Sequence, residues 1–290
     1  KLKLNPANSI HTKIISPNFD LKYNLSHADL RENILSLIRY SEPERDKKTL
    51  FIWPEGVFAG YNFEQIEEYK ILFKEAFSEN HLILFGSSTT HEVKDNDETF
   101  NSLIIVNDKF DIMFQYNKIK LVPFGEVIPF KNYLSKVGLK KVTEGYGSFL
   151  SGKKQKNFIF ENLNILPLIC YEVIFPQLTQ QIQHDTNLII NISEDAWFGG
   201  SIGPEQHFAK AIYRAIESNT FLVRAANQGY SAIIDNSGRI IKSLKPNEIG
   251  NIELKVPLIN NSNKNRNDLI FFVLLFTYII IFFTLKNKLK

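Results

Sequence analysis

Three residues of this chain could together carry out nucleophilic chemistry: Cys170, Glu55 and Lys118. Cys170 is the sole cysteine, so it can form no intramolecular disulfide and no multi-cysteine metal site. Its sulfur is either a buried core atom or a nucleophile. It closes the apolar run Leu166-Pro167-Leu168-Ile169 and is followed by Tyr171, Glu172 and then Pro176, so the chain turns sharply where the sulfur emerges. A nucleophile at a strand-to-turn junction is held rigidly, and the backbone N–H after it, here that of Tyr171, is open to an oxyanion. Glu55 follows the apolar segment Thr49–Trp53 and Pro54, at a strand terminus, where α/β proteins build sites. Lys118 lies in Asn117-Lys118-Ile119-Lys120-Leu121-Val122-Pro123-Phe124-Gly125-Glu126; a lysine at a strand end can stabilise an oxyanion or lower a neighbouring thiol's pKa. Taken singly, each has a plainer explanation: core sulfur, loop acid, surface charge.

A further segment runs Asn191-Ile192-Ser193-Glu194-Asp195-Ala196-Trp197-Phe198-Gly199, then Gly203-Pro204-Glu205-Gln206-His207-Phe208. Trp197 and Phe198, flanking Asp195 and Gly199, form a compact loop able to wall a pocket. His207 invites assignment as a general base, but its helical position reads better as a capping or packing histidine.

The elements that must position these groups alternate along the chain. Apolar runs at 11–16, 49–53, 82–87, 102–106, 111–116, 157–160, 163–169, 188–192, 221–225, 231–234, 239–244 and 251–256 predict strands. Helical spacing covers 29–40, 63–79, 176–184 and 205–219. In the last of these Phe208, Ala211, Ile212, Ala215 and Ile216 make a stripe behind Pro204. Strands alternating with helices predict an α/β layered sandwich. With 44% hydrophobic and 22% charged residues over 290 positions, the chain can bury a core of one domain of about 250 residues plus an appendage. Its net charge of +3 comes from scattered lysines among 31 acidic residues, which is no nucleic-acid footprint.

The C-terminus differs in kind. Residues 269–285, LIFFVLLFTYIIIFFTL, carry no charge; Lys264 and Arg266 precede them and Lys286, Lys288 and Lys290 follow. The run predicts a transmembrane helix over 268–286, at the short end of what spans a bilayer and with cationic anchors at both ends, followed by a basic tail at 287–290. Residues 259–267 read as a polar linker. The chain opens on Lys1 and its only methionine is Met113, so residues 1–10 read as the remnant of an upstream segment ahead of a catalytic domain at 11–258.

The order Glu55, Lys118, Cys170 resembles the Glu-Lys-Cys arrangement of the nitrilase, or carbon–nitrogen hydrolase, superfamily. The segments WPE, NKIKLVPFGEVIPF, LICYEVIFP, DAWFG, SIGPEQHF and RAANQG are similar to those of its bacterial apolipoprotein N-acyltransferase branch. The resemblance implies a four-layer α-β-β-α nitrilase-like sandwich followed by one transmembrane helix, on the periplasmic side of the bacterial inner membrane. It implies catalytic roles for Cys170 as nucleophile, Glu55 as general base and Lys118 on the oxyanion side, with Glu126, Tyr171 and Glu172 in support and Trp53, Phe124, Trp197, Phe198 and Asn227 as pocket candidates. The implied reaction moves a fatty acyl chain from a phosphatidylethanolamine-like phospholipid, through a Cys170 thioester, to the N-terminal amine of a diacylated apolipoprotein. It needs no cofactor and no metal; membrane lipid is the other partner, and no nucleic acid is. Residues 122–150, with Phe124, Phe130 and Leu134, are expected to touch the membrane. Departures stand at Glu194, Glu205 and Gln228, where the branch commonly has Asn, Trp and Asn; its members also carry several membrane helices ahead of this domain. Two rival functions are a membrane-anchored amidase using the same residues and an inactive binding module.

Overall fold

The chain forms two units, Lys1–Asn260 and Asn261–Lys290. The computed structural model describes residues 8–22, 25–91, 98–127, 149–180, 186–259 and 268–288. Phe130, Leu134, the linker at 260–267 and the stretch 181–184 of an expected helix lie outside the described residues.

The first unit contains twelve described strands in two six-stranded sheets. One sheet holds β1 (Ser9–Ser16), β2 (Thr49–Ile52), β3 (His81–His91), β4 (Glu98–Val106), β5 (Ile112–Asn117) and β12 (Gly250–Pro257), in the order β12-β1-β2-β3-β4-β5. The other holds β6 (Phe158–Phe160), β7 (Leu163–Ile169), β8 (Leu188–Glu194), β9 (Leu222–Asn227), β10 (Ser231–Ile234) and β11 (Ile240–Leu244), in the order β11-β10-β9-β8-β7-β6. The central pairs β1–β2, β2–β3, β7–β8 and β8–β9 are parallel. The described helices are α1 (His27–Ser41), α2 (Phe63–Glu67), α3 (Lys70–Ala76), α4 (Pro176–Gln180), α5 (Gly203–Ser218) and α6 (Asp268–Lys288).

Period-two alternation sorts the strand side chains into layers. Ile14, Leu50, Ile52, Leu84, Leu103 and Ile105 of the first sheet meet Ile165, Ile169, Leu188, Ile190, Ile192, Val223 and Ala225 of the second in one inter-sheet core. Their neighbours Phe51, Trp53, Ile83 and Phe85 point the other way, onto Leu30, Ile34 and Leu37 of α1 and Ile66 and Phe73 of α2 and α3. On the far side Leu166, Leu168, Ile189 and Leu222 pack on Leu178 of α4 and Phe208, Ala211 and Ala215 of α5. Because both faces of these strands are covered, β7 and β8 are buried along their whole length, and their sequences read as largely apolar runs broken by Asn164 and Asn191. The outcome is the expected helix–sheet–sheet–helix sandwich.

Local signals explain most element ends. Ser26 and Asp29 form a capping box at the start of α1. Pro204 occupies the first turn of α5, and Asn219 closes that helix in the left-handed conformation. The helix expected over 63–79 is two helices: Tyr69 N–H donates to Ile66 O and Leu72 N–H to Tyr69 O, and these tight turns re-aim the chain so that both Ile66 and Phe73 reach the core. Ile216, expected on the buried stripe of α5, is instead exposed, because the buried face runs through Phe208, Ala211, Ala215 and Ser218 and Ile216 flanks it. Trp53 is no pocket residue either. It is fully buried among Phe58, Phe73, Phe77 and Phe85, with its indole N–H donating to Ser41 Oγ at 2.9 Å.

In the second unit, α6 exposes every large apolar side chain that is described between Phe271 and Leu285. Among the described residues, however, no helix is long and apolar enough to cross a membrane, so the expected span is not established by the fold.

Ile192 sits in the inter-sheet core under the site and is fully buried. Ile192→Ala is expected to lower unfolding stability by about 2–5 kcal/mol through lost burial and a cavity, read as a lower urea midpoint at unchanged slope.

Candidate active site

The two sheets bring strand ends together. Glu55 lies beyond β2, where Trp53 N–H still pairs with Leu84 O at 2.8 Å. Its approach to β3 requires a glycine: a Cβ on Gly86 would stand 2.9 Å from Glu55 Cα and 3.2 Å from Ile192 Cδ1. Lys118 follows β5 and continues its ladder, its N–H donating to Asn101 O at 2.8 Å. Cys170 begins a 3₁₀ turn, Cys170–Ile174, directly after β7. It has φ +47°, left-handed backbone that a side chain with a Cβ rarely adopts unless its surroundings enforce it.

Lys118 is buried, with 1% of its side chain exposed. Its Nζ lies 2.9 Å from Glu126 Oε1 and 3.4 Å from Glu55 Oε1. The amide of Asn101 donates to both carboxylates at 2.7 Å, Glu126 Oε2 accepts from Val122 N–H at 2.9 Å, and Glu55 Oε2 accepts from Glu194 N–H at 3.1 Å. Burial disfavours the charge on Lys118, but Glu126 and Glu55 more than offset it and hold the ammonium above its ordinary range. Burial raises Glu126 too, yet Lys118 outweighs it and leaves that carboxyl below its usual value. Burial and then the Glu55 carboxylate push the Cys170 thiol up, against the pull of Lys118, so the sulfur stands protonated at neutral pH.

Glu172 does structural work beside this trio. Fully buried, it accepts from Ile119 N–H at 2.7 Å, Lys120 N–H at 3.2 Å, Tyr116 O–H at 2.9 Å and Ile169 N–H at 2.9 Å. One carboxylate thus ties the segment carrying Lys118 to the strand end carrying Cys170.

The groups open onto a cavity of about 440 Å³ lined by Glu55, Lys118, Glu126, Cys170, Tyr171, Glu194 and His207, with Val122, Pro123, Phe124, Gly125, Trp197 and Phe198 as its apolar wall. Phe124 and Trp197 are 45% and 47% exposed at its mouth. Asn227 is not on the wall; it braces from behind, donating to Glu194 Oε2 at 2.9 Å and exchanging bonds with the backbone of Phe19.

Four contributors were given no role in the site by the sequence reading: Asn101, Glu194, Asp195 and Arg224. Asn101 carries no signal in a polar strand end. Glu194 is buried beside Glu55, and burial raises its carboxyl well above the ordinary range. Asp195 and Arg224 form a fully buried ion pair at 2.8 Å, and His207 joins it through Nδ1, 3.0 Å from Asp195 Oδ1. The run of polar residues at the buried end of an apolar strand, Ser193-Glu194-Asp195, was the signal available.

Residues 18–259 match the carbon-nitrogen hydrolase family. The chain is 36% identical over 259 residues to an apolipoprotein N-acyltransferase of Rhodopseudomonas palustris, covering 84% of this chain and 48% of that protein. It is 32% identical over 262 residues to the Rickettsia prowazekii protein of the same name, covering 89% and 52%. The chain therefore spans about half the length of these curated relatives. An amidase from Nesterenkonia sp. AN1, whose active-site cysteine carries a covalent acetamide moiety, superposes with TM-score 0.60 at 14% identity over 93% of this chain and 98% of that one. Saccharomyces cerevisiae Nit3, of the nitrilase superfamily, gives 0.61 at 15% identity over 89% and 92%.

Two outcomes follow from the geometry. Glu172→Ala removes the partner of three N–H donors, that of Ile169 buried and those of Ile119 and Lys120 part-buried, and of the buried Tyr116 hydroxyl, and is expected to cost about 3 kcal/mol, read by chemical denaturation. For pH, a carboxyl lowered in the fold, as Glu126 is, contributes stability above its unfolded value near 4.5 that is lost as pH falls through the folded value. In Lys118→Met the buried carboxylates lose their cation, so stability is expected to rise more steeply than in wild type as pH falls from about 7 to 5. Urea unfolding of both proteins across that range checks the difference.

Proposed function

The chain belongs to the carbon-nitrogen hydrolase family, and from that premise we propose that it is the catalytic part of an apolipoprotein N-acyltransferase. The observation that carries this reading is the pairing of a Glu55–Lys118–Cys170 cluster with a predominantly apolar cavity whose mouth bears exposed aromatic side chains. Such a wall suits an acyl chain and keeps water from a thioester. The names of the curated relatives support the same reading.

In the proposed reaction Cys170 Sγ attacks the ester carbonyl of a phosphatidylethanolamine-like donor while Glu55 takes the thiol proton. Lys118 Nζ and the Tyr171 N–H stabilise the tetrahedral oxyanion. Collapse breaks the ester C–O bond, Glu55 returns the proton to the departing alkoxide, and lysophospholipid leaves behind a Cys170 thioester. The neutral α-amine of a diacylglyceryl-cysteine then attacks the thioester carbonyl. Its proton passes by way of Glu55 to the sulfur as the C–S bond breaks, giving the amide and the free thiol. Glu126 keeps Lys118 charged, while Phe124, Trp197 and Phe198 hold the acyl chain.

Membrane attachment belongs to the same proposal. The charge-free run 269–285 of α6 with lysines beyond it, and its exposed apolar side chains, support anchoring in the inner membrane with the catalytic unit on the periplasmic face.

The test is reconstitution of the protein with phosphatidylethanolamine vesicles and a diacylated lipopeptide. An N-acylated peptide with one lysophospholipid per turnover is expected, together with a thioester trapped on wild type and absent in Cys170→Ala. Fatty acid release without peptide acylation would replace this reading with that of a hydrolase, and absence of any thioester would leave a binding module.

A further inference from the structure

The tie between α5 and the nucleophile turn is a hydrogen bond to backbone. His207 Nε2 lies 3.1 Å from the carbonyl oxygen of Cys170; a carbonyl only accepts, so Nε2 carries the proton and donates. The ring is held from its other edge by Asp195 Oδ1 at 3.0 Å and Arg224 Nη2 at 3.1 Å from Nδ1. Asp195 is itself pinned by Arg224 at 2.8 and 2.9 Å and by Ser193 Oγ at 2.7 Å, and Arg224 also donates to Asn191. Whether Nδ1 donates to Asp195 or accepts from Arg224, the ring is fixed. All of these groups are buried.

The carbonyl that His207 grips shares a planar peptide with the N–H of Tyr171. That peptide is trans, so its N–H points opposite to its C=O. Gripping the oxygen on one side therefore aims the N–H to the other. The gripped peptide follows a residue with φ +47°, which without an external partner would relax toward commoner backbone. Tyr171 and Cys170 both line the cavity, and N–H groups in the first turn of a 3₁₀ helix have no partner within that helix.

We propose that His207, anchored by the Arg224–Asp195 pair, is a positioning residue that locks the Cys170–Tyr171 peptide in the orientation that presents the Tyr171 N–H to the oxyanion. The inference rests on the reading of Cys170 as nucleophile and adds the element that builds its oxyanion site. It predicts a specific signature. The oxyanion forms both when the donor ester is attacked and when the thioester is attacked, so loss of the grip should slow both half-reactions by a similar factor and leave donor affinity alone.

The experiment uses the whole protein that carries this chain, in phosphatidylethanolamine vesicles with a diacylated lipopeptide. Single-turnover thioester formation and its discharge are followed separately. His207→Asn keeps a polar partner for Asp195 but is too short to reach Cys170 O; it is expected to slow each half-reaction about a hundredfold, the usual cost of losing one oxyanion donor, with donor KM within about twofold of wild type. His207→Gln, whose amide N–H can reach the Nε2 position, is expected to regain most of the rate. If His207→Asn does not fold, Asp195→Asn, which loosens the ring without removing it, is expected to slow both half-reactions at unchanged donor KM. Wild-type rates in the variant tested, a raised KM at unchanged kcat, or equal impairment of His207→Asn and His207→Gln would overturn the proposal while leaving the nucleophile in place. Acyl transfer that survives Cys170→Ala would overturn the nucleophile and this inference with it.

Discussion

An ammonium buried away from water is tolerable only among compensating groups, and the site is arranged around that demand at Lys118. Its charge is met by Glu126 at 2.9 Å and by Glu55 at 3.4 Å, and those two acids are bridged by Asn101. Each partner comes from a different place: Glu55 from the end of β2, Asn101 from β4, Glu126 from the segment after β5. Removing any one leaves a charge or a donor stranded in low dielectric. The pairing therefore fixes the relative positions of three strand ends in one sheet before any substrate arrives. Glu172 extends the same constraint across the sandwich by holding amides of both the Lys118 segment and β7.

Cys170, the proposed nucleophile, belongs to the other sheet, and its placement depends on how closely the sheets approach. Gly86 has no side chain where Glu55 and Ile192 press against it, and Gly56 leaves room for the Glu194 carboxyl. The inter-sheet core of Ile and Leu side chains supplies the force that closes this gap, at about 25 cal/mol per Å² of apolar surface removed from water. The left-handed backbone at Cys170 is thus sustained by packing on one side and by the His207 bond on the other.

The strand pattern was legible in the sequence because the central strands are covered on both faces, which turns β7, β8 and β9 into largely apolar runs. The three groups of the proposed chemistry were legible because each follows such a run. What stayed hidden depends on contacts distant in sequence. His207 read as a packing histidine, since nothing in its own helix shows that its Nε2 meets a carbonyl at position 170. Arg224, inside an expected strand, carried no signal of its partner Asp195, which neutralises it from the end of the neighbouring strand. Trp53 was a pocket candidate by resemblance, but it packs into the helix-side layer among Phe58, Phe73, Phe77 and Phe85, whereas the chain has left β2 by Pro54 and Glu55 reaches the cavity. The break between α2 and α3 was invisible because the residues that turn the chain, Glu68 and Tyr69, are ordinary helix formers, and burial of Ile66 and Phe73 overrides their propensity.

Charge balance in the cavity explains why the thiol should rest unionised. Two carboxylates already face one ammonium, so a thiolate would add negative charge to a place that holds an excess of it, and burial opposes it further. The resting sulfur is therefore held as the thiol, in an apolar cavity where a permanent thiolate would be poorly solvated. On the proposed chemistry, ionisation becomes favourable only as the sulfur bonds to a carbonyl: the proton moves to Glu55, and the negative charge passes to an oxygen that Lys118 and a backbone N–H can reach. The lysine then does more for the transition state than for the ground state, since in the ground state its charge is already shared between Glu126 and Glu55. Differential stabilisation of this kind raises the rate instead of merely tightening binding. It also accounts for the second acid: Glu126 keeps Lys118 charged while Glu55 is protonated, so the oxyanion never faces a neutral amine.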